Sequence, residues 1–161
     1  MTQELFDDPR ITAMGLLAET YLGVTGRLAC QIAEHGLSPI EFETLLRLSR
    51  SPDGRLRMTD LAAQTSLTAS GVTRVVDRLE RDSLVMRTAC ASDRRSLYTV
   101  ITKSGRDRIA AVLPGHVKLI EEWFTGRLDP DELESLLTCL RTVRDAVRPG
   151  AEAGAYSAAS I

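Results

Sequence analysis

No apolar run in these 161 residues approaches the roughly 20 that a membrane helix needs. The opening MTQELFDDPR also lacks a secretory pattern, so the expectation is a cytoplasmic protein with no membrane partner. Aromatic residues make up only 4% of the chain, with three cysteines and two histidines. Cys30, Cys90 and Cys139 are odd in number and widely spaced, which excludes a disulfide framework or a thiolate metal cluster. With His35 and His116 the only imidazoles, a zinc site would have to draw on carboxylates or thiolates, and no metal or other cofactor is expected. No nucleophile and base pair or phosphate-cradling glycine loop stands out, so an enzyme is not expected either. The net charge of −2 is too small for a non-specific nucleic-acid coat.

What the chain does have is core material, 43% apolar residues, and an uneven charge. Between residues 55 and 106 ten basic side chains stand against five acidic ones, whereas both flanks are acidic. Within that basic centre, Thr68 to Ser83 (TASGVTRVVDRLERDS) separates into two faces when wound at about 100° per residue. Val72, Val75, Val76 and Leu79 fall on one side; Ser70, Arg74, Asp77, Arg78 and Arg81 fall on the other, flanked by Gly71 and Thr73. Thr59 to Gln64 reads as a short helix with Leu61 buried, and Thr65-Ser66-Leu67 has the length of a tight turn. The pair is a helix-turn-helix, whose second helix belongs in a DNA major groove.

Around it, Asp8-Pro9 precedes a long helix from about Arg10 to Glu34, stopped by Gly36. Ser38-Pro39-Ile40-Glu41 forms a capping box with proline at the first helical position, and Ser51-Pro52-Asp53-Gly54 ends the helix that follows. Leu84 to Ala89 and Arg95 to Ile101 read as two strands joined by Cys90 to Arg94, a β-hairpin wing. Thr102 caps a helix from about Lys103 to Thr125, and Asp129-Pro130-Asp131-Glu132 starts another that runs to about Val147. Ala151 to Ile161, small and polar, is expected to be disordered. The fold class is therefore mainly α: a winged helix-turn-helix with a two-stranded wing, plus long terminal helices. Residues 1–37 and 103–148 would dimerise, 38–102 bind DNA, and 149–161 form a disordered tail. The terminal helices carry more apolar positions than one small domain covers, and a homodimer is the economical answer.

From Ser38 to Val147 the chain resembles the MarR (multiple antibiotic resistance regulator) family. The resemblance rests on LTASGVTRVVDRLERDSLVMR, Leu67 to Arg87, and DRRSLYTVITKSG, Asp93 to Gly105, where Asp93, Arg95, Thr102 and Gly105 fill the family's wing pattern. It implies an obligate dimer of winged helix-turn-helix units, usually a repressor that a small molecule or an oxidant releases from DNA. The chain departs from the family at Ser83 and Ser66, where glycine is frequent, and at Thr88 to Ser92, where the usual prolines are missing.

Candidate roles follow. Thr68 is the expected N-cap of the second helix, turning the Ser70 and Gly71 amides toward a phosphate. Ser70, Thr73 and Arg74 should lie nearest the base edges, with Arg78 and Arg81 on phosphates. The competing reading pairs Arg74 and Arg78 with Asp77, Glu80 or Asp82 on the helix surface. At the wing, Arg94 or Arg95 is the candidate for the narrow minor groove, and the resemblance implies that Asp93 holds a wing arginine in place. Tyr21, His116 and Trp123 are candidates for a crevice that takes a small, aromatic effector, although all three could equally be core. Cys90 is the candidate redox thiol, whereas Cys30 and Cys139 are expected to be buried and inert. The expected partners are thus double-stranded DNA, a second copy of the chain and a small-molecule effector; the alternative is a winged-helix protein-interaction module that does not touch DNA.

Overall fold

Local capping sets the helix boundaries. The computed structural model describes residues 6–89 and 97–153. Helix α1 (Pro9–Glu34) opens on Asp8, whose carboxylate accepts from the Arg10 amide at 2.8 Å. Helix α2 (Pro39–Ser49) opens on the Ser38 and Glu41 capping box, with Glu41 Oε2 accepting from the Ser38 amide at 2.9 Å. Helix α3 (Met58–Thr65) and helix α4 (Ala69–Arg81) form the helix-turn-helix. Helix α5 (Lys103–Trp123) begins on Thr102, and helix α6 (Pro130–Val147) on a second capping box, Asp129 with Glu132.

The expected hairpin is present as β2 (Val85–Ala89) and β3 (Leu97–Ile101), paired from Val85 with Ile101 to Ala89 with Leu97. A third strand joins it. β1 (Arg55–Arg57) runs antiparallel to β3 with Leu56 opposite Thr99, so the sheet order is β1-β3-β2. Leu56 alone turns inward, while Arg55 and Arg57 face solvent. Three residues with two arginines carry too little β signal to be read from sequence.

The core gathers where α2, α3, α4, α5 and the sheet meet. Leu45, Leu48, Leu56, Leu61, Val72, Val76, Leu79, Leu84, Val85, Ile109 and Val112 are all buried there. By contrast α1 buries only Ile32 and α6 buries nothing, despite Leu133, Leu136, Leu137, Leu140 and Val143. Residues 149–153, the first part of the expected tail, turn back onto α2 and α3 and bury Ala151 at 5% exposure. Side-chain donors far away in sequence capture their carbonyls, a signal that composition does not carry. Residues 154–161 lie outside the described residues.

Candidate nucleic-acid interface

Two left-handed residues aim α4. Ser66, at φ +56°, ends α3 and allows the Leu67 amide to reach the Ala62 carbonyl at 3.1 Å. Ser83, at φ +59°, ends α4 in a Schellman motif: Leu84 N bonds Leu79 O at 2.8 Å and Ser83 N bonds Glu80 O at 2.9 Å. The turn is then locked from the other side. Thr102 Oγ1 donates to Ser83 O at 2.8 Å and accepts from Gly105 N at 3.0 Å. A Cβ at Gly105 would lie 2.1 Å from the Leu84 carbonyl oxygen, so only glycine lets α5 come this close. The Thr102 and Gly105 pair of the sequence motif is therefore the joint between α4, the wing and α5.

On α4, Val72, Val75, Val76 and Leu79 are buried, and Thr68, Ser70, Thr73, Arg74, Arg78 and Arg81 are exposed, as the two-faced pattern requires. Thr68 is the N-cap, but its hydroxyl accepts from the Gly71 amide at 3.1 Å. That amide is therefore satisfied within the helix and is not turned toward a phosphate; the Ser70 hydroxyl lies 3.1 Å from Thr68 Oγ1 at the same end. Thr73 spends its hydroxyl proton on the Ala69 carbonyl at 2.8 Å and offers its methyl and oxygen outward.

The acidic groups of α4 are taken by a residue that the sequence reading did not single out. Arg87, on β2, donates to Asp77 Oδ1 and to Glu80 Oε2 at 2.6 Å each, and its own amide donates to Glu80 Oε1 at 2.9 Å. Burial opposes the charge of this guanidinium, yet the hydrogen bonds and charges of Asp77 and Glu80 outweigh that and hold its pKa above the ordinary arginine value. The signal lay in period two: Arg87 shares the inner face of the sheet with Val85, and an inward charge on a strand demands a partner. With Asp77 and Glu80 occupied, Arg74 has no ion-pair partner among the described residues. Arg78 differs: its Nε lies 3.0 Å from Glu41 Oε1, which ties α4 to the N-terminus of α2 instead of to Asp82. Asp93, Arg94, Arg95 and Cys90 lie outside the described residues.

The three residues assigned to one crevice divide between two. Tyr21 and His116 line a cavity of about 500 Å³ between α1 and α2, with Thr25, Phe42 and Glu43. His116 is 9% exposed, packs on Phe42 at 4.5 Å between ring centroids, and leaves Nδ1 without a partner among the described residues. Burial pushes its pKa below the ordinary 6.5. Trp123 lines a second cavity of about 670 Å³, with Tyr21, Leu16, Leu136 and Leu140, and lies between Arg27 and Arg127, 4.2 and 5.4 Å from its ring centre. Cys30 and Cys139, expected to be buried, are exposed on this chain because α1 and α6 leave those faces uncovered. No helix of the described residues is long and apolar enough to cross a membrane, and no three potential metal ligands cluster among them.

Comparison with known proteins returns the same architecture. Residues 35–96 match the model of the MarR family. The HTH-type transcriptional regulator MhqR of Bacillus subtilis is 30% identical over 128 residues, 80% of this chain and 86% of that protein. AbsC, a MarR family transcriptional regulator from Streptomyces coelicolor, is 32% identical with a TM-score of 0.82, over 88% of this chain and 96% of that one. Sco3205 from the same organism, a MarR family regulator solved in complex with DNA, is 29% identical with a TM-score of 0.71, over 84% and 88% of the two chains.

Proposed function

The chain belongs to the MarR family, and from that premise we propose that it is a homodimeric repressor of transcription that reads a palindromic operator and works in the cytoplasm. Residues 38–102 form the DNA-binding unit, and residues 1–37 with 103–148 form the dimerisation region. Each protomer sets α4 in a major groove, with the two half-sites about 34 to 36 Å apart. Arg74, Ser70 and Thr73 reach the base edges, Thr68 and Gly71 shape the helix end nearest the backbone, and Arg78 contributes charge beside it. An arginine in such a place discriminates guanine by roughly 1 to 3 kcal/mol through O6 and N7. Arg94 or Arg95, held by Asp93, enters the minor groove.

One observation carries this reading. Helix α4 buries four apolar residues and presents an exposed Arg74 on the opposite face, while Arg87 neutralises its acidic neighbours. A protein-interaction module is not favoured, because that outward face offers no apolar anchor of the kind a protein groove receives. Release follows entry of a small, uncharged or weakly polar aromatic molecule beside Tyr21 and His116, where Phe42 and the His116 ring supply flat walls.

The test is fluorescence anisotropy with the duplex upstream of the coding sequence against a scrambled duplex at the same salt. Nanomolar, sequence-selective binding is expected, with a log-log salt slope of about −0.9 per phosphate neutralised. A flat salt response with equal affinity for both duplexes refutes it.

A further inference from the structure

Helix α6 buries no residue of its own, yet the six residues that follow it are held against the DNA-binding unit at three points. Arg148 ends α6 and sends Nη2 to the carbonyls of Ala63 and Gln64, at 3.3 and 2.8 Å. Those carbonyls belong to the last turn of α3, where Ala63 O receives only a long bond from the Ser66 amide, at 3.4 Å, and a cation meets the negative end of the dipole. Gln64, 1% exposed, answers with Nε2 on the Ala153 carbonyl at 2.5 Å, and Arg47 of α2 donates to the Ala151 carbonyl at 3.2 Å. Arg144 closes the segment on itself through Glu152 at 2.7 Å. Gly150 lies flat on Ala63, where an added Cβ would stand 3.2 Å from the alanine methyl.

We propose that residues 148–153 are a strap that sets the position of the recognition helix relative to the dimer axis, with Arg148 and Gln64 as positioning residues for operator spacing. The strap grips the end of α3, two residues before Ser66 turns the chain into α4. Helix α6 belongs to the dimerisation region, so the strap joins the dimer core to the α3 and α4 unit by a short path that bypasses α5. Two recognition helices fixed in this way accept one half-site separation. Without the strap, each unit is held only by its other joints, the passage from α1 into α2 and the packing of α5 around Thr102, Gly105, Ile109 and Val112, and neighbouring separations become acceptable.

The inference rests on the reading of a dimer on two half-sites, and the experiment separates the two. The probe is the inverted-repeat duplex that the wild-type protein selects from a random pool, with one or two base pairs inserted or removed at its centre. Anisotropy across that series is measured in full-length wild type, Arg148→Ala and Arg148→Lys, beside the dimer mass by light scattering and the melting temperature. Wild type should prefer its own spacing by at least tenfold. Arg148→Ala should lose at least fivefold of that preference as a dimer with wild-type melting, and Arg148→Lys, which keeps the charge on one nitrogen, should regain part of it. A spacing-selective wild type with an equally selective Arg148→Ala overturns the strap alone. A variant whose loss is matched by monomer formation or a lower melting temperature also overturns it, because the segment then serves folding. A wild type indifferent to spacing overturns both readings.

Discussion

Arg74 and Arg87 divide one task, Arg74 from α4 itself and Arg87 from β2 alongside it. Asp77 stands one turn from Arg74 on α4 and would otherwise draw it into a surface pair, and Asp77 and Glu80 together would repel phosphates; Arg87 holds both from β2. Arg74→Ala should therefore weaken operator binding at least tenfold without moving the melting temperature, since it is exposed and pairs with nothing described. Arg87→Ala should do both: binding falls by a similar factor, and stability falls by about 1 to 3 kcal/mol as two charge-assisted contacts are lost. Denaturant titration beside anisotropy distinguishes them; equal stability of the two variants would remove the clamp role. His116 supplies a second test. Burial holds its pKa below the ordinary 6.5, so as pH falls beneath that value the unfolded chain takes up a proton that the fold resists. Stability contributed by the neutral ring is thus full above pH 6.5 and is lost as pH drops toward the folded pKa. Melting curves from pH 8 to 5 should fall more steeply for wild type than for His116→Gln, and parallel curves would count against the burial.

At the scale of elements, the joint after the recognition helix combines a strained residue with a close backbone approach. Ser83 sits at φ +59°, a region that costs a residue bearing a Cβ roughly 1 to 2 kcal/mol, so Ser83→Gly should stabilise the protein by up to about 1 kcal/mol. Gly105→Ala should act oppositely, by at least about 1 to 3 kcal/mol, because its methyl would strike the Leu84 carbonyl. Urea midpoints report both; a neutral Gly105→Ala would mean that α5 approaches less closely than described. Helix starts were legible because Asp8, Ser38, Thr68, Thr102 and Asp129 each act within three residues of themselves. The same locality made the four valine and leucine positions of α4 readable. Strand β1 was not, since only pairing with β3 more than 40 positions away turns Arg-Leu-Arg into a strand. Arg87 and the segment after Arg148 were missed for a related reason: their partners are fixed by register and by chain return, not by spacing. Cys30 and Cys139, expected to be buried, are exposed on the single chain, because apolar neighbours imply burial only when something covers them.

For the whole molecule, that uncovered surface is the strongest statement in the structure. Ile11, Met14, Leu16, Leu17, Tyr21 and Leu22 on α1 and Val143 and Val147 on α6 are 49 to 69% exposed, more large apolar surface than a lone chain of this size would keep in water. A second copy covers it in the proposed dimer, and obligate interfaces of that kind bury about 2,000 Å² or more. Leu17, in the wall of the 670 Å³ cavity beside Leu136 and Leu140, is the position to strike. Leu17→Glu places a charge at a position half-open to water on the monomer and covered in the dimer, so it should shift the equilibrium to monomer at micromolar concentration while α2 to α5 stay folded. Each half-site would then be bound singly. Loss of the linked second contact costs about a hundredfold or more in operator affinity, while affinity for an isolated half-site is unchanged. Light scattering and anisotropy on one- and two-half-site duplexes measure the two quantities together. A monomeric Leu17→Glu that still binds the full operator like wild type would show that the recognition helices act alone, and the apolar face would then need another partner.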